Sequence, residues 1–133
     1  MARPTAAGRR YAEAAFELAT RDGALDGWAE GLALAARFAA DGGVIRVVDN
    51  PSIPHADRLA AVTRLLDGRV PPGVLDRARL LARRGRVEPL PAVAAAYTRL
   101  LNRRRGVVEA VVTSALPLTA EETAALRARV EVM

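Results

Sequence analysis

Few side chains in this 133-residue chain are of a type that does covalent or metal chemistry. There is one histidine, no cysteine and no lysine; every basic residue is arginine. A phosphate-binding loop of the P-loop kind needs a lysine after its glycines, so Gly42-Gly43 reads as a helix stop instead. His55 follows Pro54 in the first turn of a helix and has no second histidine or thiolate to complete a metal site. Ser52 and Ser114 have no base at the spacing of an activated nucleophile. Glu121-Glu122 is accounted for by a helix start, described below. The expectation is therefore a protein with no catalytic residues, no metal site and no cofactor.

The arginines are the remaining chemistry. Twenty of them against fifteen acids leave a net charge of +5, which raises a basic helical nucleic-acid-binding module as one hypothesis. The two densest clusters, Arg83-Arg84 before Gly85 and Arg103 to Arg105 before Gly106, have a structural explanation. Both stand where a helix ends, and there guanidinium groups meet the negative end of the helix dipole and glycine makes the C-cap. The absence of cysteine excludes disulfides and thiolate metal sites and permits a reducing compartment. The Met1 end lacks the apolar segment of a signal peptide, and no run approaches the ~20 apolar residues of a membrane span.

The elements that position these groups read as helices. Gly8 to Ala19 is amphipathic, but its apolar arc, from Tyr11, Ala12, Ala14, Ala15, Phe16, Leu18 and Ala19, covers roughly 200° at helical spacing. One contact needs about half of that. Phe16, Ala12 and Ala19 are expected to face the core, leaving Tyr11, Ala14 and Leu18 for a second contact. Leu25, Trp28, Leu32 and Ala35 form the next stripe. Val44 to Val48 is expected to be a short helix. Asp49-Asn50-Pro51 is a turn, and Pro54 opens a helix carrying Leu59, Val62, Leu65 and Leu66. Val74, Leu75, Ala78, Leu81 and Ala82 make the core face of the fifth helix, with Leu80 pointing outward. Leu90, Val93, Ala94, Tyr97, Leu100 and Leu101 make that of the sixth.

At Gly106 the pattern changes. Val107 to Leu116 alternates and is rich in β-branched residues, with Val108, Ala110, Val112 and Leu116 on one side and Val107, Glu109, Val111 and Thr113 on the other. It is expected to be a strand. Thr119 and Glu122 form a capping box for a last helix containing Leu126 and Val130. A single strand has no partner for its ladder, so the region from 106 to 133 reads as incomplete. The fold class is mainly α: a six-helix bundle over residues 1–105, then the start of an α/β region, one strand and one helix, over 106–133.

Four stretches, RRYAEAAFELA, DNPSIP, LLARRGRVEPLP and RGVVEAVVTSALPLT, occur in an order that resembles the delta-subunit (OSCP) family of F-type ATP synthases over nearly the whole chain. The resemblance implies a non-catalytic stator connector that couples proton-driven rotation to ATP synthesis. A groove between the first and fifth helices would receive the N-terminal helix of an alpha subunit of the catalytic head. By position, Tyr11, Ala14, Ala15 and Leu18 match one wall of it, and Leu75, Arg79, Leu80 and Arg83 the other. The C-terminal region would meet the b subunits of the peripheral stalk, and members of the family continue past the point where this sequence ends. The resemblance also implies a peripheral position on the cytoplasmic face of the bacterial membrane, with no nucleic-acid partner and only indirect membrane attachment.

Overall fold

The computed structural model describes residues 5–107 and 110–132. They form seven helices: α1 (Ala6–Arg21), α2 (Leu25–Ala40), α3 (Gly42–Val48), α4 (His55–Leu66), α5 (Pro72–Arg83), α6 (Leu90–Arg104) and α7 (Ala120–Val132). Each begins and ends for local reasons. The Thr5 hydroxyl accepts from the Gly8 amide at 2.9 Å and starts α1. Asp41 Oδ1 accepts from the amides of Gly43 (2.8 Å) and Val44 (3.2 Å) and starts α3. Side-chain oxygens at these positions satisfy donors that have no partner inside the helix. Gly85 closes α5 with φ +68°, a backbone angle that costs a residue with a side chain.

The core is made of small residues at helix contacts and a few large ones between them. Ala12, Ala15 and Ala19 of α1 are almost completely buried, as are Trp28 and Leu32 of α2, Val74 and Ala82 of α5 and Tyr97 of α6. The alanines let α6 pack closely along α1, while α2 lies on α6 and α4 on α5. Gly73 serves the same end: a Cβ there would run into the Trp28 indole, so α5 approaches α2 only because this position is glycine. Phe16 meets Tyr97 edge-on, with ring centroids 5.7 Å apart. The Tyr97 hydroxyl donates to the Leu25 carbonyl at 2.7 Å, tying the middle of α6 to the first turn of α2. Desolvation pushes the Tyr97 phenol up to about 12.

Three expectations are corrected. Gly42-Gly43 begins α3 and does not end α2; Asp41, extended and capping, is the break. Pro54 is the N-cap of α4, one position ahead of its first turn. The third correction concerns the strand expected over Val107 to Leu116. Residues 107 and 110–116 carry no helix and no strand, and there is no strand among the described residues; Val108 and Glu109 lie outside them. The physical reason is the one that made the strand look incomplete: β structure is defined by hydrogen bonds to a second strand. The capping box beyond it is formed on both sides. Glu122 Oε2 accepts from the Thr119 amide at 2.9 Å, and Thr119 Oγ1 accepts from the Glu122 amide at 3.2 Å.

Candidate partner-binding groove

Two neighbouring helices leave a concave strip between them. Ala7, Arg10, Tyr11 and Ala14 of α1 form one wall, and Arg77 and Leu81 of α5 with Arg84, the C-cap of that helix, form the other. Arg86 and Pro89, from the loop between α5 and α6, close one end, and the space enclosed is about 560 Å³. Each wall follows from helical spacing. Positions 7, 11 and 14, and positions 77, 81 and 84, are separated by four and three residues, so each trio stacks on one face. The floor is apolar, with Leu81 only 3% exposed. The rim is basic, with four arginines and no acid among the lining residues. Arg84 Nη1 donates to the Tyr11 hydroxyl at 3.0 Å, a bond between the two walls.

The loop that carries Arg84, Arg86 and Pro89 is held from behind. The Arg86 amide donates to the Leu81 carbonyl at 2.9 Å. Val87 is buried, and its amide donates to Asp49 Oδ1 at 3.3 Å. Burial pushes the Asp49 carboxyl above its ordinary range, partly offset by the bond from Val87. Arg58, buried in α4, lies behind the same loop; a Cβ on Gly85 would come within 3.7 Å of its Nη1. Arg58 Nη2 and His55 Nδ1 are 3.1 Å apart.

The residues expected at the site are placed as follows. Tyr11 and Ala14 line the groove. Ala15 is 1% exposed and belongs to the core. Leu18 is half-buried on the same face of α1 as Ala14, one turn past the lined part. Leu75 is half-buried against the core. Leu80 is half-buried and stands about 60° around α5 from Arg77, at the edge of the wall. Arg79 and Arg83 are exposed and lie about 120° or more around the helix from Arg77. The structure thus brings Tyr11 and Ala14 together with Ala7, Arg10, Arg77, Leu81, Arg84, Arg86 and Pro89, which sequence reasoning passed over. The spacing of Arg77, Leu81 and Arg84 was the available signal. It was hidden because Leu81 also belongs to the buried stripe.

Among the described residues no group of three or more histidine, cysteine, aspartate or glutamate side chains could hold a metal ion. No helix among them is long and apolar enough to cross a membrane. The region after α6 has a different character. Ala110, Val112 and Leu118 lie beside Leu126 and Val130 of α7 around a shallow hollow of about 450 Å³. No residue of α7 is buried.

The family described as ATP synthase delta (OSCP) subunit matches residues 7–133. The ATP synthase subunit delta of Dehalococcoides mccartyi is 36% identical over 118 residues, 89% of this chain. This chain spans only 64% of that relative's length, less than two thirds. The subunit delta of Methylobacillus flagellatus is 34% identical over 131 residues, 98% of this chain and 74% of the relative. That of Acinetobacter baumannii is 31% identical over 123 residues, 92% of this chain and 69% of the relative. A match that runs through α1 to α7, with relatives above 30% identity over most of the chain, places it: the chain belongs to the ATP synthase delta (OSCP) subunit family.

Proposed function

We propose that this chain is a non-catalytic stator connector of an F-type ATP synthase. The α1–α5 groove takes the N-terminal helix of an alpha subunit of the catalytic head. The region from 106 onward faces the b subunits of the peripheral stalk. The head is then kept from turning while the rotor turns, and proton flow is coupled to ATP synthesis. The protein sits on the cytoplasmic face of the membrane and touches the membrane only through the complex. The observation that carries this reading is the groove: an apolar floor between two parallel rows of side chains is the shape that receives an amphipathic helix. Leu18 and Leu80 extend that surface at its edges.

The nucleic-acid reading has no comparable support. Three of the five arginines in the two clusters have intramolecular partners: Arg84 on Tyr11, Arg105 on Asp26 at 2.8 Å, and Arg104 with its guanidinium carbon 5.9 Å from the Phe16 ring centre.

Calorimetric titration with a peptide copying the N-terminal segment of the partner alpha subunit tests the proposal. Binding is expected. Ala14→Trp, which fills the groove, lowers the affinity about tenfold or more, equivalent to about 1.4 kcal/mol. Its melting temperature stays near that of the parent, because Ala14 is half-buried and lies outside the core cluster. Leu80→Asp weakens binding to a lesser degree. No heat of binding from a chain that is folded by circular dichroism rejects the proposal.

A further inference from the structure

The groove has a charge pattern that apolar docking alone does not require. Arg10, Arg77, Arg84 and Arg86 surround one strip of apolar surface. The two ion pairs found among the described residues lie elsewhere, Arg21–Asp22 and Arg105–Asp26. None of the four groove arginines has a carboxylate within ion-pairing distance among the described residues. Like charges set side by side around a groove repel one another, and an occupant that neutralises them relieves that repulsion. The single polar contact across the groove is made to a neutral acceptor, the Tyr11 hydroxyl. A guanidinium bonds a carboxylate more strongly than a phenol, because both partners are then charged and the fork can engage two oxygens.

We propose that the groove selects an acidic amphipathic helix, and that Arg84 leaves Tyr11 for a carboxylate of the incoming segment. This rests on the reading that the groove docks a helix, and adds the chemistry of that helix. Its apolar stripe lies on Leu81, Ala14 and Ala7. Its flanks carry glutamates or aspartates, reached by Arg77 and Arg84 from one wall, by Arg10 from the other, and by Arg86 at the end. The Tyr11–Arg84 bond sets the guanidinium across the groove, where an incoming carboxylate would meet it. The rim attracts an acidic partner from a distance and discriminates against a basic one.

The test uses the full chain and three synthetic helices of about 18 residues, five turns long. They share one apolar stripe and differ only in carrying Glu, Gln or Lys on the flanks. A fourth peptide copies the partner alpha subunit's N-terminal segment. The Glu helix is expected to bind about tenfold or more tighter than the Gln helix, with an affinity that falls as salt is raised. The Lys helix is expected to bind weakest. In Arg10→Gln/Arg86→Gln, two exposed positions that leave the core intact, the gap between Glu and Gln helices narrows. In Arg84→Gln it narrows further. Equal affinity for the Glu and Gln helices, with the alpha-subunit segment binding normally, overturns the charge selection and leaves the docking groove standing. Failure of all four peptides to bind a folded chain overturns both.

Discussion

The bundle and the region beyond it are built from the same kinds of residue and end differently. In α1 to α6 the apolar residues are packed: Ala12, Trp28, Val74 and Tyr97 are all at most 2% exposed. In the stretch from 110 to 132 they are open to solvent: Val111 is 83% exposed, Leu116 76% and Val132 88%. Yet α7 has the better-formed start. Its capping box makes both of its reciprocal bonds, whereas α2, α4, α5 and α6 have no side-chain cap at all. Capping satisfies a helix end, but it is worth only about 1 kcal/mol. A core of twenty buried apolar residues is worth far more, and that is where the two regions part.

Substitutions can break this contrast. The largest effect is expected from Trp28→Ala, which empties the contact between α2 and α5. It should lower the unfolding free energy of the bundle by about 3–5 kcal/mol in a urea titration. A loss under about 1 kcal/mol would mean that the Gly73–Trp28 contact does not hold the bundle together.

Tyr97→Phe comes next. It removes the bond to the Leu25 carbonyl, which keeps its partner inside α2, so a loss of about 0.5–1.5 kcal/mol, that of one hydrogen bond, is expected. The same residue makes a pH prediction. Its folded pKa, about 12, lies above the ordinary tyrosine value of 10.0. Its contribution is therefore intact below pH 10 and is lost as pH rises from 10 through 12. Tyr97→Phe should remove that part of the alkaline loss; an unchanged alkaline profile in thermal melts would assign it to other groups.

Thr119→Ala should act on the outer region alone. The helicity of α7, followed by amide exchange over 120–132, is expected to fall with a cost of about 1 kcal/mol. The melting of the bundle should not move. Leu126→Ala closes the series with the smallest effect, within about 0.5 kcal/mol for the bundle. If either substitution shifts the bundle's melting, α7 contributes to its core and the contrast fails.

How much was legible can be argued from particular residues. The core faces of α2, α4, α5 and α6 were readable because helical spacing places Trp28, Val62, Ala78 and Tyr97 on one side of each helix whatever lies opposite. Helix ends at Gly85 and at Gly106, both with φ +68°, were readable because positive φ favours glycine locally. Gly42-Gly43 misled for the complementary reason: glycines read as a stop, while the carboxylate one residue earlier turned them into a start. The groove was half legible. The surplus apolar arc of α1 points to Tyr11, Ala14 and Leu18, of which Tyr11 and Ala14 line the groove, and the family resemblance implies Leu75, Arg79, Leu80 and Arg83 for the opposite wall. The lined wall is Arg77, Leu81 and Arg84, a rotation of the same helix.

By itself the sequence determined where helices lie, which face of each is apolar, and that the Thr119–Glu122 pair would cap a helix, because these depend on residues within one or two turns. Its ordered stretches also carried the family. Only the tertiary structure decided how α5 is turned against α1, and so which arginines line the groove. Helix rotation is set by contacts between residues far apart in the chain: Gly73 against Trp28, Tyr97 against the Leu25 carbonyl, Arg84 against Tyr11. The stretch from 110 to 116 obeys the same rule in reverse. Its alternating residues have the propensity for a strand, but a strand exists only where a second one supplies the hydrogen bonds.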